Sequence, residues 1–131
     1  MRHLVRAVPL VPLILLLCAC TRPKREILAD TFFYGHAYVD ANGNGRIDED
    51  DPGLEGAMFV VRLSKMGGLT ARTTSNGRAM IAVPGGLSKK EWPVTASMNP
   101  PPDTNYELMA PTEIVLEYPA GDADFLFQDT Q

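Results

Sequence analysis

The chain carries Asp40-Ala41-Asn42-Gly43-Asn44-Gly45-Arg46-Ile47-Asp48-Glu49-Asp50-Asp51 and then, at once, Pro52-Gly53-Leu54-Glu55-Gly56. Oxygen-bearing side chains stand at the first, third, fifth, ninth and twelfth places of this loop: Asp40, Asn42, Asn44, Asp48 and Asp51. Gly45 stands sixth, where a sharp turn is needed, and Arg46 seventh, where a backbone carbonyl can act as donor. This is the spacing with which a single loop surrounds a hard cation with oxygens. Ca²⁺ takes six to eight oxygens and accepts carboxylates, amides and carbonyls together, which is what the loop supplies. A plain Asn-Gly turn needs only two such residues, whereas here five donors keep register over twelve positions. The twelfth place holds Asp51 where the pattern usually has a bidentate Glu, so either the site is looser or Asp50 takes part in closing it. An affinity in the weak extracellular range, about 10⁻⁴–10⁻³ M, is expected. Ile47, in the eighth place, is expected to point away from the ion and pin the loop to the core.

The residues after the loop decide its setting. In helix–loop–helix calcium proteins and dockerins the loop runs straight into a helix. Here one proline and two glycines come next instead, which stops helix continuation. The next segment, Ala57–Ser64, is rich in β-formers. The loop therefore sits between strands.

The chain of 131 residues accommodates one domain behind its N-terminal segment. Arg2 and Arg6 precede an apolar run, Ala7–Leu17, that ends in Leu17-Cys18-Ala19-Cys20. A charged head, a short apolar stretch and small residues before a cleavage point describe a secretory signal peptide over residues 1–19. The run is shorter than the roughly 20 residues of a membrane span, and Pro9 and Pro12 interrupt it. Leu17-Cys18-Ala19-Cys20 resembles a bacterial lipobox, which implies that Cys20 becomes the first mature residue and is lipidated. Several acyl chains on one residue give stable membrane anchoring. The rival is a secreted protein with a strained Cys18–Cys20 disulfide; the lipoprotein is favoured. Residues 20–30 then form a tether. Its Arg22, Lys24 and Arg25 either face anionic headgroups or are simply solvated. The expected location is the bacterial cell envelope, lipid-anchored in a membrane and facing away from the cytoplasm.

No cysteine follows Cys20, so the folded part has to hold together through its core. Losing Arg2 and Arg6 leaves ten basic residues against 16 acidic ones, moving the net charge from −4 to −6. Six of the acids, Asp40, Asp48, Glu49, Asp50, Asp51 and Glu55, lie in or just after the loop. A divalent ion relieves the repulsion within such a cluster. An acidic chain without a basic stripe also argues against a nucleic-acid partner.

Strands are expected over Thr31–Val39, Ala57–Ser64, Leu69–Ser75 and Arg78–Val83, the last two joined by the hairpin signal Asn76-Gly77. Gly35 within the first suggests a bulge or close packing. Which face of Arg78–Val83 turns inward is ambiguous. Trp92–Ser97, Glu113–Tyr118 and Asp124–Gln128 complete seven strands, with a rigid proline run at Asn99–Asp103. Short strands, regular turn signals and no convincing helix predict an all-β sandwich over residues 31–131.

Gly35–Gly45, Asp48, Asp51–Gly56, Thr73–Gly77, Tyr106–Thr112 and Gly121–Phe127 together resemble the B-type domains of serine–aspartate repeat (SdrD B-like) bacterial surface proteins. The resemblance implies an immunoglobulin-like or prealbumin-like sandwich, with Ca²⁺ on Asp40, Asn42, Asn44, the Arg46 carbonyl, Asp48 and Asp51. It also implies a rigid structural or adhesive role at the cell surface. Those domains commonly occur in tandem, whereas this chain has one copy. Related pilin-type sandwiches carry a Lys–Asn cross-link from the first strand; Thr31–Asp40 has no Lys, so no such bond is expected.

Past the signal peptide the only histidine is His36, and no Gly-x-Ser-x-Gly elbow, cysteine nucleophile or zinc-type His cluster is present. A general base needs partners, so His36 reads as an edge or core-rim residue and the chain as non-enzymatic. The leading expectation is a calcium-stabilised, non-catalytic, lipid-anchored sandwich with structural or adhesive work, partnered by an envelope or extracellular protein or glycan. The alternative is a carbohydrate- or peptide-binding lipoprotein with its ligand surface near Trp92–Tyr106. Dockerin-like partner docking suffers from the Pro52-Gly53 helix break and the single loop.

Overall fold

The computed structural model describes residues 29–64, 67–119 and 121–131. The signal peptide, Cys20 and the tether up to residue 28 lie outside the described residues. Eight strands run in chain order: β1 (Thr31–Val39), β2 (Met58–Leu63), β3 (Gly67–Arg72), β4 (Arg78–Val83), β5 (Val94–Asn99), β6 (Tyr106–Leu108), β7 (Glu113–Leu116) and β8 (Asp122–Asp129). They form two four-stranded sheets, ordered β4-β1-β8-β6 and β3-β2-β5-β7. All neighbours are antiparallel except β1 and β8, which run parallel. The expected all-β sandwich is what the chain adopts.

Strand periodicity builds the core. Phe33, Gly35 and Ala37 of β1 face inward, while Phe32, Tyr34, His36 and Tyr38 alternate outward, as side chains on a pleated strand must. Phe59 and Val61 of β2, Val94 and Met98 of β5, and Phe125 and Phe127 of β8 close the interior from both sheets. Each buried phenyl contributes about 1.5–3 kcal/mol relative to an exposed one. Phe59 and Phe125 meet across the sandwich with ring centroids 6.4 Å apart. Gly35 is the close-packing case: a Cβ there would lie 2.5 Å from the Phe59 ring. In β4, Ala79, Ile81 and Val83 point inward and Met80 outward, which settles the face that alternation alone left ambiguous.

Several boundaries differ from the sequence expectation for physical reasons. Among the described residues there are eight strands rather than seven because Tyr106–Leu108 pairs with the end of β8. Three residues carry too little alternation to signal a strand. β5 begins at Val94, after Pro93, which has no N–H to give a ladder. The connection Asn76-Gly77 is not a hairpin: β3 and β4 belong to different sheets, and β4 pairs with β1. The turn is a corner between sheets, closed by the Gly77 N–H donating to the Thr74 carbonyl at 2.8 Å. Gly77 has φ of +75°, and a Cβ on it would lie 2.3 Å from the Ala37 carbonyl oxygen. Lys89–Glu91 forms a single 3₁₀ turn.

The topology gives the molecule two ends. At the N-terminal pole lie the start of β1, the end of β2, the start of β3, the β4–β5 connection, the end of β7 and the start of β8. At the other, the loop pole, β1 delivers Asp40 to the acidic loop, joined by the Asn76-Gly77 corner and the proline run. The nine residues of β1 separate the poles by roughly 25–30 Å.

Candidate metal centre

The twelve-residue loop is held at its two ends by backbone bonds. The Val39 N–H donates to the Pro52 carbonyl at 2.9 Å, the Leu54 N–H to the Ala37 carbonyl at 2.9 Å, and the Asp40 N–H to the Phe127 carbonyl at 2.8 Å. Leu54 is buried and plugs the core beneath. A second clamp lies just beyond. Thr73 is buried, its hydroxyl donating to the Leu54 carbonyl at 2.6 Å and accepting from the Ala57 N–H at 2.9 Å.

Within the loop, each nominated side chain has a definite place. One Asp40 oxygen accepts the Gly45 N–H at 2.9 Å, which makes the first and sixth positions meet. Its other oxygen, Oδ1, is buried and has no hydrogen-bond partner. Asn42 Oδ1 accepts the Asn44 N–H at 3.2 Å, and Asn44 Oδ1 accepts the Arg46 N–H at 2.9 Å, two successive Asx turns. The amide of Asn42 donates to Asp48 Oδ2 at 2.9 Å, and the amide of Asn44 donates to the same oxygen. These two donors, Asn42 first, hold the Asp48 carboxyl below its ordinary value, and the Arg46 guanidinium acts in the same direction.

Asp51 is only 7 % exposed and staples the loop shut. Its oxygens accept the Asp48 N–H at 2.8 Å and the Ala41 N–H at 3.3 Å. Asp50 is exposed at the surface, so of the two candidates for the closing position Asp51 is the one turned inward.

Ile47 corrects the sequence expectation. It is 44 % exposed, beside Tyr38, Asp48, Glu49 and Asp51, and does not enter the core. Asp51 and Leu54 supply the pinning instead, because the chain turns back through Pro52-Gly53 before any apolar side chain reaches the interior.

Asp48, Asn42 and Asn44 are thus brought together, while Asp40 and Asp51 serve separate backbone donors. Among the described residues no three His, Cys, Asp or Glu side chains converge into a ready cluster. The donors fit a hard cation in kind: carboxylates plus amide oxygens, with one carboxylate oxygen left without a partner. Binding requires Asp48 to exchange its two amide donors for the ion. The recess formed by Asp40, Asn42 and Asn44 is completed by Gln128 and Asp129 from the end of β8. Sequence spacing could not nominate those two, since only the parallel β1–β8 pairing brings them beside the loop.

The remaining chemistry is sparse. His36 Nδ1 lies 2.8 Å from Asp124 Oδ1, the residue directly opposite it in the β1–β8 register. A recess of about 540 Å³ opens beside this pair, with Tyr34, Arg72, Arg78 and Met80 among its walls. Trp92 packs at the N-terminal pole against Phe33 and Tyr118. Tyr106 pairs with Asp129 at the loop pole. These two aromatics therefore lie at opposite poles.

No protein-family model matches the chain, and a search of curated proteins found no match.

Proposed function

We propose that this chain is a lipid-anchored, non-catalytic surface sandwich of the bacterial envelope, stabilised by Ca²⁺ in the Asp40–Asp51 loop and used for structural or adhesive work. The observation that supports the calcium reading best is Asp40 Oδ1, a buried carboxylate oxygen without a partner. A charged oxygen in that position is costly unless a cation meets it. Asp40, Asn42, Asn44, the Arg46 carbonyl, Asp48 and Asp51 would hold the ion. The ion would bind the native loop only and so stabilise the fold by mass action. Anchoring through Cys20 is supported by the lipobox-like Leu17-Cys18-Ala19-Cys20 alone.

The test is thermal unfolding in EDTA and then in millimolar Ca²⁺. For a Kd of about 10⁻⁴ M, about 1–10 mM Ca²⁺ is roughly ten to a hundred times Kd and contributes about 1.4–2.7 kcal/mol, a rise on the order of 10 °C for a domain of this size. The rise should vanish in Asp40→Asn and Asp48→Asn. An unchanged Tm in wild type would reduce the loop to a hydrogen-bonded turn and remove calcium from the proposal.

A further inference from the structure

The N-terminal pole has a surface unlike the rest of the molecule. The chain is fixed there as it joins the fold. Asp30 Oδ1 accepts the Gly85 N–H at 2.9 Å, and Thr31 Oγ1 accepts the Leu87 N–H at 3.0 Å. Around that point Phe32, Tyr34, Leu87, Trp92 and Tyr118 line a groove of about 380 Å³. Phe32, Tyr34 and Tyr118 are 43 %, 40 % and 52 % exposed, a concentration of aromatic surface that water does not favour. Phe32 and Tyr34 stack at 6.5 Å, Trp92 meets Tyr118 edge-on at 5.9 Å, and Lys89 Nζ stands 5.2 Å from the Tyr118 ring centre. Lys90 is exposed next to it, and the Trp92 indole N–H is buried without an acceptor.

We propose that this pole is a lipid-docking surface, with its aromatic cluster and Lys89 and Lys90 at headgroup level and the acidic loop directed away from the bilayer. The inference rests on the reading of Cys20 as lipidated and deepens it. Nine positions separate Cys20 from Ala29, the first described residue. Even fully extended, that length of chain reaches no further than about 32 Å. The pole is thereby presented to the bilayer at high effective concentration, so a weak surface suffices.

Aromatic side chains with an apolar body and a polar edge settle at the membrane–water interface. Lysines near an anionic leaflet add attraction. Asp30 accepts from Gly85 and Glu91 accepts the Ser88 N–H at 2.8 Å, and with Glu117 and Asp122, at the start of β8, they offset Lys89 and Lys90. Meanwhile Asp40, Asp48, Glu49, Asp50, Asp51 and Glu55 crowd the opposite end. An anionic surface repels the crowded loop pole far more strongly than the aromatic one, which fixes the orientation.

The chain purified from membranes of an expressing bacterium and placed in phosphatidylcholine vesicles with a minority of phosphatidylglycerol tests this. Intact mass reads the acylation of Cys20. Trp92 is the only tryptophan, so its quenching by headgroup-spin-labelled lipid reads its depth. A dye on the thiol introduced by Glu55→Cys reads the loop pole. The expected result is acylated Cys20, severalfold stronger quenching of Trp92 than of the Glu55-site dye, and loss of that contrast in Phe32→Ser/Lys89→Gln/Lys90→Gln. Acylated Cys20 with equal, weak quenching at both poles overturns docking while the anchor stands, and means that another occupant, such as a second copy or a protein, covers the aromatics. Unacylated Cys20 refutes the anchor reading, and docking falls with it.

Discussion

Asp40 and Thr73 are polar side chains tucked beneath the same pole, and they meet burial differently. Asp40 leaves one oxygen without a partner, whereas Thr73 uses its hydroxyl as both donor and acceptor between Leu54 and Ala57. Thr73→Val keeps the shape and deletes the hydroxyl, stranding a buried carbonyl and a buried N–H. That change should destabilise the domain by about 1–3 kcal/mol in urea unfolding, and Thr73→Ser should recover most of the loss. A value near zero would mean that water replaces the hydroxyl. The sequence reveals Asp40 and hides Thr73 for one reason. The partners of Asp40 lie within a twelve-residue register, while those of Thr73 are 16 and 19 positions away.

At the scale of elements, β1 carries most of the architecture. It is the one strand with β4 on one side and parallel β8 on the other, and its inward face meets β2 of the opposite sheet. Gly35 is the contact point, so Gly35→Ala drives a methyl into the Phe59 ring. Overpacking of this kind costs about 1–3 kcal/mol, to be read as a lower midpoint in denaturant. Phe59→Leu should relieve part of that cost, so the double variant should be less destabilised than the sum of the singles. Simple additivity would show that Gly35 is retained for another reason. The long strands were legible because alternation of apolar and polar residues is a local signal. The partner of β4 was not, because Asn76-Gly77 makes the same tight turn in a hairpin and at a corner between sheets. Nor was β6, whose three residues acquire strand geometry only by pairing with β8.

For the molecule as a whole, two chemically different poles are joined by one core. Phe33, Phe59, Val61, Met98, Phe125 and Phe127 are fully buried between the sheets, whereas the stretch from Ala41 to Ile47 is exposed. Local opening draws on segments with few buried apolar contacts. If the loop holds Ca²⁺ as proposed, removing the ion should therefore loosen one end without unfolding the sandwich. Hydrogen exchange followed by mass spectrometry should show protection falling after EDTA at Gly45, Arg46 and Asp48, whose N–H groups are held by loop side chains. The backbone clamp at Val39 and Leu54 should weaken less, since its bonds do not involve the side chain of any proposed ion ligand. Protection in β2 and β5 should stay unchanged, because their ladder runs Met58 to Asn99 through Arg62 to Thr95 with the core beneath it. A uniform loss across all strands would instead make the ion a condition of folding, and the loop would then belong to the cooperative core rather than to one pole.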